Sequence, residues 1–191
     1  MKVVAFNGSP RTEGNTYQSL KIVLEELQME GIETELIQIG GKSIHGCTAC
    51  YTCFKNKDRE CALKDDELNA YLKKMIGADG IIIGSPVYFS NVTTEVKAMM
   101  DRAGLVARAN DNLLRRKVGS AVVAVRRAGA TFAFSAINFF FFIQEMIVPG
   151  SIYWNLAIGR EPGEVLNDEE GMLTLKKLGQ NMAWLLKKIQ T

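Results

Sequence analysis

Short apolar runs alternate along the chain with longer stretches in which apolar residues recur at every third or fourth position. Most of the short runs are continuous, which is typical of strands that helices cover on both faces of a sheet. They predict strands at residues 3–6, 33–39, 79–84, 118–125 and 151–156.

The longer stretches predict helices between these strands. The helices cover residues 20–27, 65–76, 94–102, 132–146 and 169–189, with an extended connection at residues 157–168. Gly31 and Gly77 end the first two helices, because glycine is favoured just after a helix. Strands and helices that alternate in this way predict an α/β fold with a doubly wound parallel sheet. A length of 191 residues suits a single domain over residues 1–191.

The charges of the chain are balanced, with 23 Lys and Arg residues, 21 Asp and Glu residues and a net charge of +2. This balance gives no electrostatic basis for binding nucleic acid or a membrane surface. The longest apolar stretch, residues 132–143, contains Ser135 and Asn138 and is too short to span a bilayer. The chain begins with a strand-like run that lacks the pattern of a signal peptide, so we expect a cytoplasmic protein.

All four cysteines lie within fifteen residues, at Cys47, Cys50, Cys53 and Cys61. Thiols stay reduced in the cytoplasm, which favours a metal or redox role over disulfides. Three thiols at two-residue gaps can point inward from one tight loop, and a fourth can complete the ligand set of a [4Fe–4S] cluster. Tetrahedral zinc, whose ligand pairs usually have a longer spacer, and a redox Cys-x-x-Cys pair are the alternatives.

A polar loop, residues 8–16, follows the first predicted strand, where doubly wound sheets place their ligands. It has neither the Gly-x-Gly-x-x-Gly dinucleotide pattern nor a Walker sequence with its lysine. Its hydroxyl, guanidinium and amide groups suit one terminal phosphate monoester. They belong to Ser9, Arg11, Thr12, Asn15 and Thr16. The alternative is an ordinary strand-to-helix turn, because Gly, Ser, Pro and Asn are common turn residues.

Three segments together resemble the flavodoxin-like NAD(P)H-dependent FMN reductase superfamily. They are Gly-Ser-Pro-Arg-Thr-Glu-Gly-Asn-Thr at residues 8–16, Ser-Pro-Val-Tyr-Phe at residues 85–89 and Val-Lys-Ala-Met-Met-Asp-Arg at residues 96–102. The cysteine spacing narrows the resemblance to the iron–sulfur flavoproteins of that superfamily. The resemblance extends over residues 1–125 and is looser beyond them.

The resemblance implies a flavodoxin-like fold with sheet order 2-1-3-4-5, one FMN per subunit and a cysteine-rich loop at about residues 44–61 after the second strand. It implies FMN phosphate contacts at Ser9, Arg11, Asn15 and Thr16. It implies contacts with the isoalloxazine ring at Pro86, Val87, Tyr88, Phe89 and Asn91. The loop at residues 125–130 lacks one glycine of the family's Gly-x-Arg-x-Gly-Gly pattern, and Arg127 and Gly129 are the contacts retained there.

Several other residues are interpreted as structural. Lys97 and Arg102 are interpreted as helix-surface or interface charges rather than catalytic groups, and Asp101 is interpreted as structural. His45 is the only histidine, so the chain has no second histidine to act as the base of a Ser-His-Asp hydrolase.

Six of the nine phenylalanines lie within residues 132–142. One helix face cannot bury the four consecutive aromatics at residues 139–142, so part of the run must face something other than the sheet. Because an exposed aromatic patch is a liability in a monomer, this helix predicts a homodimer or homotetramer.

These features predict an FMN-dependent redox protein in which electrons pass between a [4Fe–4S] cluster and FMN, with a small carrier such as ferredoxin as partner. One alternative is an NAD(P)H-dependent reductase of FMN or quinones that has no cluster. Another is a non-enzymatic flavodoxin-like electron carrier. In each case the cofactors perform the chemistry, so no side chain is predicted to be catalytic.

Overall fold

The computed structural model describes residues 1–189, which contain one parallel sheet with helices on both faces. The strands lie in the order β2-β1-β3-β4-β5. They are β1 (Lys2–Asn7), β2 (Glu33–Gln38), β3 (Gly80–Pro86), β4 (Val118–Val125) and β5 (Leu156–Ile158). This topology confirms the flavodoxin-like sheet expected from the sequence.

Helices follow the strands along the chain. They are α1 (Asn15–Met29), α2 (Thr52–Asn56), α3 (Leu68–Gly77), α4 (Thr94–Ala109), α5 (Ala130–Ile143) and α6 (Glu169–Ile189), with a 3-10 turn at Glu164–Asn167. Helix α4 continues past the predicted residue 102 because its apolar face continues with Ala103, Val106 and Ala107, which are all buried. None of the helices within residues 1–189 combines the length and the apolar character needed to cross a membrane.

Successive side chains of each strand point to opposite faces of the sheet, and each face has its own core. Val3 and Ala5 of β1 pack with α1 and α6, whereas Val4 and Phe6 pack with α3, α4 and α5. Strand β3 contributes to both cores, and this explains why the central strands are continuous apolar runs in the sequence.

The carboxyl ends of β1 and β3 are joined at the edge of the sheet where their loops begin. The N–H of Gly8 donates to the carbonyl of Gly84 at 2.8 Å, and the hydroxyl of Thr93 donates to the carbonyl of Gly8 at 2.9 Å. A Cβ on Gly8 would lie 2.2 Å from Cγ2 of Val96. Glycine therefore allows the first loop to approach the N-terminus of α4 closely.

The last strand lies later than the sequence pattern predicted. Residues 151–155 form an irregular segment, and its side chains Ile152, Tyr153 and Trp154 are each about half exposed. Asn155 ties the end of the segment to the sheet by donating to the carbonyl of Ala121 at 3.0 Å. The prediction of a strand at residues 151–156 was therefore wrong, because this apolar run faces outward. Residues 157–168 contain most of β5 and the 3-10 turn rather than an extended connection.

Candidate functional site

A pocket of about 180 Å³ opens at the carboxyl edge of the sheet, where the strand order reverses between β1 and β3. Ligands of doubly wound folds bind at this position. The pocket is lined by Ser9, Arg11, Asn15, Thr16, Pro86, Val87, Tyr88, Ala124, Arg126, Gly159 and Arg160. The first seven of these residues are ones that the sequence suggested for a phosphate and a ring.

Two amide side chains fix the shape of the loop after β1. Asn7, which is fully buried, accepts from the N–H of Ser9 at 3.1 Å and donates to Gln38 Oε1 at 2.7 Å. Gln38 Nε2 then donates to the carbonyls of Ser9 and Gly40, both at 2.7 Å. Sequence reasoning missed Asn7 and Gln38, because single polar residues at strand ends belong to no motif.

The N-terminus of α1 faces the same pocket. The residue at its N-cap is Gly14, which has no side chain to cap the helix. The first N–H groups of a helix have no partner within it, and together with the positive end of the helix dipole they favour an anion. Asn15 and Thr16 begin α1, Arg11 precedes it, and all three line the pocket. This arrangement suits a single phosphate group.

The loop after β5 closes the pocket on the side of α1. Arg11 Nη1 donates to the carbonyl of Arg160 at 3.3 Å, and the N–H of Gly163 donates to Asn15 Oδ1 at 2.8 Å. The second bond occupies the amide oxygen of Asn15, so the amide presents its Nδ2 donor as the group for a ligand. Arg11, Arg126 and Arg160 all line the pocket, and guanidinium groups are well suited to phosphate.

The loop after β3 ends in a tight turn beside the pocket. Tyr88 and Asn91 exchange two backbone hydrogen bonds of 2.9 Å, and Phe89 and Ser90 between them have φ angles of 47° and 60°. Positive φ at both central residues defines a type I′ turn. Gly129, with φ of 86°, packs against this turn, since a Cβ there would lie 2.7 Å from Ser90 Oγ. The loops after β3 and β4 therefore touch.

Five of the residues predicted from the sequence are not part of the pocket lining. They are Thr12, Phe89, Asn91, Arg127 and Gly129. The side chain of Phe89 is fully exposed at the tip of its turn.

Four lining residues were missed, namely Ala124, Arg126, Gly159 and Arg160. Arg126 directly follows β4, so the predicted end of that strand at residue 125 was a signal for it. Gly159 and Arg160 directly follow β5, and the misplaced last strand concealed them.

The segment between β2 and α3 brings the four cysteines to one side of α4. A cavity of about 20 Å³ is lined by Cys47, Cys50, Cys53 and Cys61, by residues beside them, and by Arg102, Leu105 and Val106 of α4. Cys53 is buried and Cys61 is half-buried, whereas Cys47 and Cys50 are exposed.

The backbone of this cysteine segment is strained. Ala49, Tyr51, Lys57 and Arg59 all have positive φ angles between 51° and 64°. Non-glycine residues in this conformation are costly and concentrate at functional sites. Asn69 helps to hold the segment, because its Oδ1 accepts from the N–H of Cys61 at 2.7 Å and its Nδ2 donates to the carbonyl of Cys61 at 3.0 Å.

A buried arginine connects the cysteine segment to α4. Arg102 Nε donates to Cys61 Sγ at 3.3 Å, and Nη2 donates to the carbonyl of Leu63 at 3.1 Å. Nη1 donates to the carbonyl of His45 at 3.1 Å and to the carboxylate of Asp66. The side chains of Arg102 and Asp66 are 0% and 1% exposed. The interpretation of Arg102 as a surface or interface charge was therefore wrong, because the cysteine segment covers this part of α4.

The ionisation of Asp66 follows from this network. Burial alone would raise the pKa of Asp66, but the hydrogen bonds from Arg102 and from the N–H groups of His45 and Leu68 outweigh it and lower the pKa. Asp66 is therefore a carboxylate that balances the buried guanidinium. By contrast, Lys97 and Asp101 form an exposed pair on α4, with Nζ 2.5 Å from Oδ1, which agrees with the interpretation of Lys97 as a surface charge.

The thiols differ in their environments. Hydrogen bonds with Thr52 lower the pKa of Cys50, whereas burial raises the pKa of Cys53. Within residues 1–189 no three His, Cys, Asp or Glu side chains are close enough to ligate one metal ion. The four cysteines that line one cavity supply the number and the kind of ligands that a [4Fe–4S] cluster takes. The exposed side at Cys47 and Cys50 leaves room for a group larger than the cavity.

The fold and the pocket define a flavodoxin-like protein of the flavin-dependent oxidoreductase class. The chain belongs to the NADPH-dependent FMN reductase family, whose model matches residues 1–161. Solved structures with this fold include a flavodoxin from the domain Archaea, with a TM-score of 0.63 and 16% identity over 98% of this chain and 99% of that one. A flavone reductase has a TM-score of 0.73 and 20% identity over 100% of this chain and 64% of its own.

Curated relatives that cover more than nine-tenths of the chain are iron–sulfur flavoproteins. One from Methanocaldococcus jannaschii is 39% identical and covers 100% of both chains. One from Archaeoglobus fulgidus is 37% identical over 93% of this chain and 86% of its own, and one from Methanosarcina thermophila is 32% identical over 100% and 97%. The resemblance seen in the sequence is confirmed.

Proposed function

We propose that this protein transfers electrons between a [4Fe–4S] cluster held by its cysteines and an FMN held at the carboxyl edge of the sheet. The observation that supports this most strongly is that one helix connects the two sites. Helix α4 begins beside the first loop, where Thr93 bonds to Gly8, and Arg102 further along it bonds to Cys61. Because an α-helix rises about 1.5 Å per residue, Thr94 and Arg102 lie about 12 Å apart along the helix axis. Redox groups at these sites would be neighbours within one subunit.

The first loop and the N-terminus of α1 would hold the phosphate of FMN. Ser9, Arg11, Asn15 and Thr16 offer hydroxyl, guanidinium, amide and backbone donors there. Arg126 and Arg160 add positive charge at the same pocket. One anion site without a second glycine-rich loop favours a mononucleotide over a dinucleotide as the resident cofactor.

The loops after β3 and β4 would orient the ring. Pro86, Val87 and Tyr88 line the pocket and supply apolar contacts. The bound flavin supplies the redox chemistry. The chain would orient the ring beside the tight turn at residues 88–91 and would limit access of water to it. Thr12, Phe89, Asn91, Arg127 and Gly129 remain predicted contacts of the flavin or of its loops.

The cysteines would each supply one thiolate to the cluster, which provides one-electron transfer when bound. Cys53 and Cys61 approach it from the buried side, and Cys47 and Cys50 from the exposed side. We propose a small one-electron carrier such as ferredoxin as the donor, because the exposed side gives it the shortest approach to the cluster.

A second candidate function is an NAD(P)H-dependent reductase of FMN or quinones that lacks a cluster. The observation that favours it is an open groove of about 480 Å³ next to the flavin pocket. Arg126, Gly159 and Arg160 line both spaces. Two arginines beside a flavin site suit the phosphates of a nicotinamide dinucleotide.

The test is the cofactor content of protein that is purified and reconstituted with iron and sulfide without oxygen. We expect about four iron, about four sulfide and about one FMN per chain. FMN without iron or sulfide, together with rapid bleaching of the flavin by NADPH, would reject the cluster and select the reductase.

We also propose that the protein is a homodimer or homotetramer with α5 in the contact. Phe140 and Phe141 pack inward, whereas Phe132, Phe139 and Phe142 are 68%, 67% and 58% exposed. An apolar groove of about 540 Å³ lies between α5 and residues 148–155. Exposed aromatic surface of this extent is characteristic of a binding face.

A further inference from the structure

We infer that Arg102 is the positioning residue of the cysteine segment, and that its N–H···S hydrogen bond to Cys61 raises the reduction potential of the cluster. This inference rests on the proposed function, because it concerns the cluster proposed there. It adds a residue outside the cysteine motif, and one that sequence reasoning had interpreted as a surface or interface charge.

The guanidinium of Arg102 bonds to four residues between positions 45 and 66 of the chain. Its partners are the carbonyls of His45 and Leu63, the sulfur of Cys61 and the carboxylate of Asp66. A guanidinium is planar and presents its donors in a fixed fork, so these partners are held in fixed relative positions.

The helix beneath this fork is itself rigidly held. Met99, Ala103 and Val106 lie within one turn of Arg102 and are at most 1% exposed. They belong to the core on the face of the sheet that α3, α4 and α5 cover. The irregular cysteine segment therefore takes its position from a buried helix rather than from its own short elements. Outer partners of this kind commonly orient the ligands of metal centres.

The ion pair and the sulfur contact are separable. The carboxylate of Asp66 accepts hydrogen bonds from the N–H of His45 at 3.0 Å and from the N–H of Leu68 at 3.1 Å, in addition to the bond from Arg102. The carboxylate thus neutralises the guanidinium and anchors the backbone, while Nε of Arg102 is the atom that meets Cys61. A purely structural ion pair would need only the first set of contacts.

The sulfur contact has a predictable consequence for a bound cluster. A hydrogen bond to a ligating sulfur favours the reduced state, because that state carries more negative charge on its sulfurs. Loss of the bond should therefore make the cluster harder to reduce.

The experiment compares four reconstituted, FMN-containing proteins by iron and sulfide content and by a redox titration of the cluster monitored by electron paramagnetic resonance. Arg102→Gln combined with Asp66→Asn removes the pair without leaving a lone buried charge. Asp66→Asn alone keeps the sulfur contact, and Lys97→Gln is a matched control on the exposed side of α4. Arg102→Lys, which keeps the charge but loses the fork, is a fifth protein for the case in which the double variant does not fold.

In the double variant we expect the ratio of reduced to oxidised cluster at a fixed potential to fall about tenfold or more, which for a one-electron couple is a negative shift of about 59 mV. Arg102→Lys should shift in the same direction by less. Neither Asp66→Asn nor Lys97→Gln should move the potential in the negative direction. In the metal-free proteins, Cys61 loses both the cover and the hydrogen bond that Arg102 provides, so its alkylation rate in the double variant should differ several-fold from that of the wild type.

Two failures have different meanings. In the first case the wild type takes up a cluster, and the Arg102 variants have the same potential and the same Cys61 alkylation rate as the wild type. This result would overturn only the role of Arg102. A wild type that takes up no iron and sulfide overturns the proposed function and the tuning role together.

Discussion

At the scale of single residues, the two sites depend on polar side chains whose partners are already fixed within the protein. Asn15 is held through its oxygen by Gly163, and Arg11 is held against the carbonyl of Arg160. Side chains fixed in this way lose little conformational entropy when a ligand binds, so they contribute most of their interaction energy to affinity.

Replacing both Arg11 and Asn15 by Ala should weaken FMN binding about 30-fold or more, which corresponds to roughly 2 kcal/mol for the loss of charged hydrogen bonds. The measurement is titration of the apoprotein with FMN, followed by flavin fluorescence. Lys21→Ala is the matched control, because it removes an exposed positive charge of α1 that lies outside the pocket lining. An unchanged dissociation constant in the double variant would refute the phosphate site.

Asp66 should determine part of the acid sensitivity of the fold. Its pKa is lowered in the folded protein, so its contribution to stability is present above its unfolded pKa of about 3.9 and is lost as the pH falls through the lower folded value. Asp66→Asn should cost roughly 3 kcal/mol at pH 7, because it breaks a buried pair. Its free energy of unfolding should then change less between pH 5 and pH 3 than that of the wild type.

Urea denaturation of the metal-free proteins at several pH values measures this difference. Asp65→Asn is the control, since Asp65 is exposed and its side-chain partner, His45 Nε2 at 3.3 Å, is exposed as well. If the stability curves of Asp66→Asn and the wild type run parallel below pH 5, the buried ion pair does not govern acid stability.

At the scale of elements, α4 connects the pocket at the carboxyl edge of the sheet with the cysteine segment. Its N-terminus bonds to the first loop, and its third turn supports the cysteine segment. The sequence predicted the start of α4 and its motif but not its full length or the burial of Arg102. Burial of a charge depends on what covers it, and the covering segment lies some forty to fifty residues earlier in the chain without a periodic pattern.

The contact between the loops after β3 and β4 should be sensitive to one glycine. Gly129→Ala places a Cβ 2.7 Å from Ser90 Oγ at a φ of 86°, so it should cost about 1–2 kcal/mol of stability and weaken FMN binding by displacing the turn. Thermal unfolding and the FMN titration measure the two effects. Gly77→Ala, at the end of α3 with open space around it, should lower neither.

At the scale of the whole molecule, the sheet and most helices follow from the pattern of apolar residues, because continuous runs and helical periods report burial directly. The last strand did not follow, since the apolar run at residues 151–156 is partly surface rather than sheet. Seven of the pocket residues could be identified because they belong to two motifs. Arg126 and Arg160 reach the pocket only through the register of β4 and β5, which no local motif encodes.

The exposed side of α5 should be a contact between subunits. Phe139→Asp combined with Phe142→Asp should reduce the mass in analytical ultracentrifugation from that of an oligomer to that of a single chain, because charged residues disfavour burial in an apolar contact. Met29→Asp, at the exposed end of α1, should leave the oligomer intact. A wild-type mass equal to one chain would show that the aromatic face has another role.

The central claim, that one chain holds both FMN and a redox-active cluster, is tested most directly by an anaerobic reductive titration. The reconstituted protein should accept about three electrons per chain, two for FMN and one for the cluster. Cys50→Ser should retain FMN and accept about two. Uptake of only about two electrons by the fully reconstituted wild type, with a spectrum of flavin alone, would contradict the account.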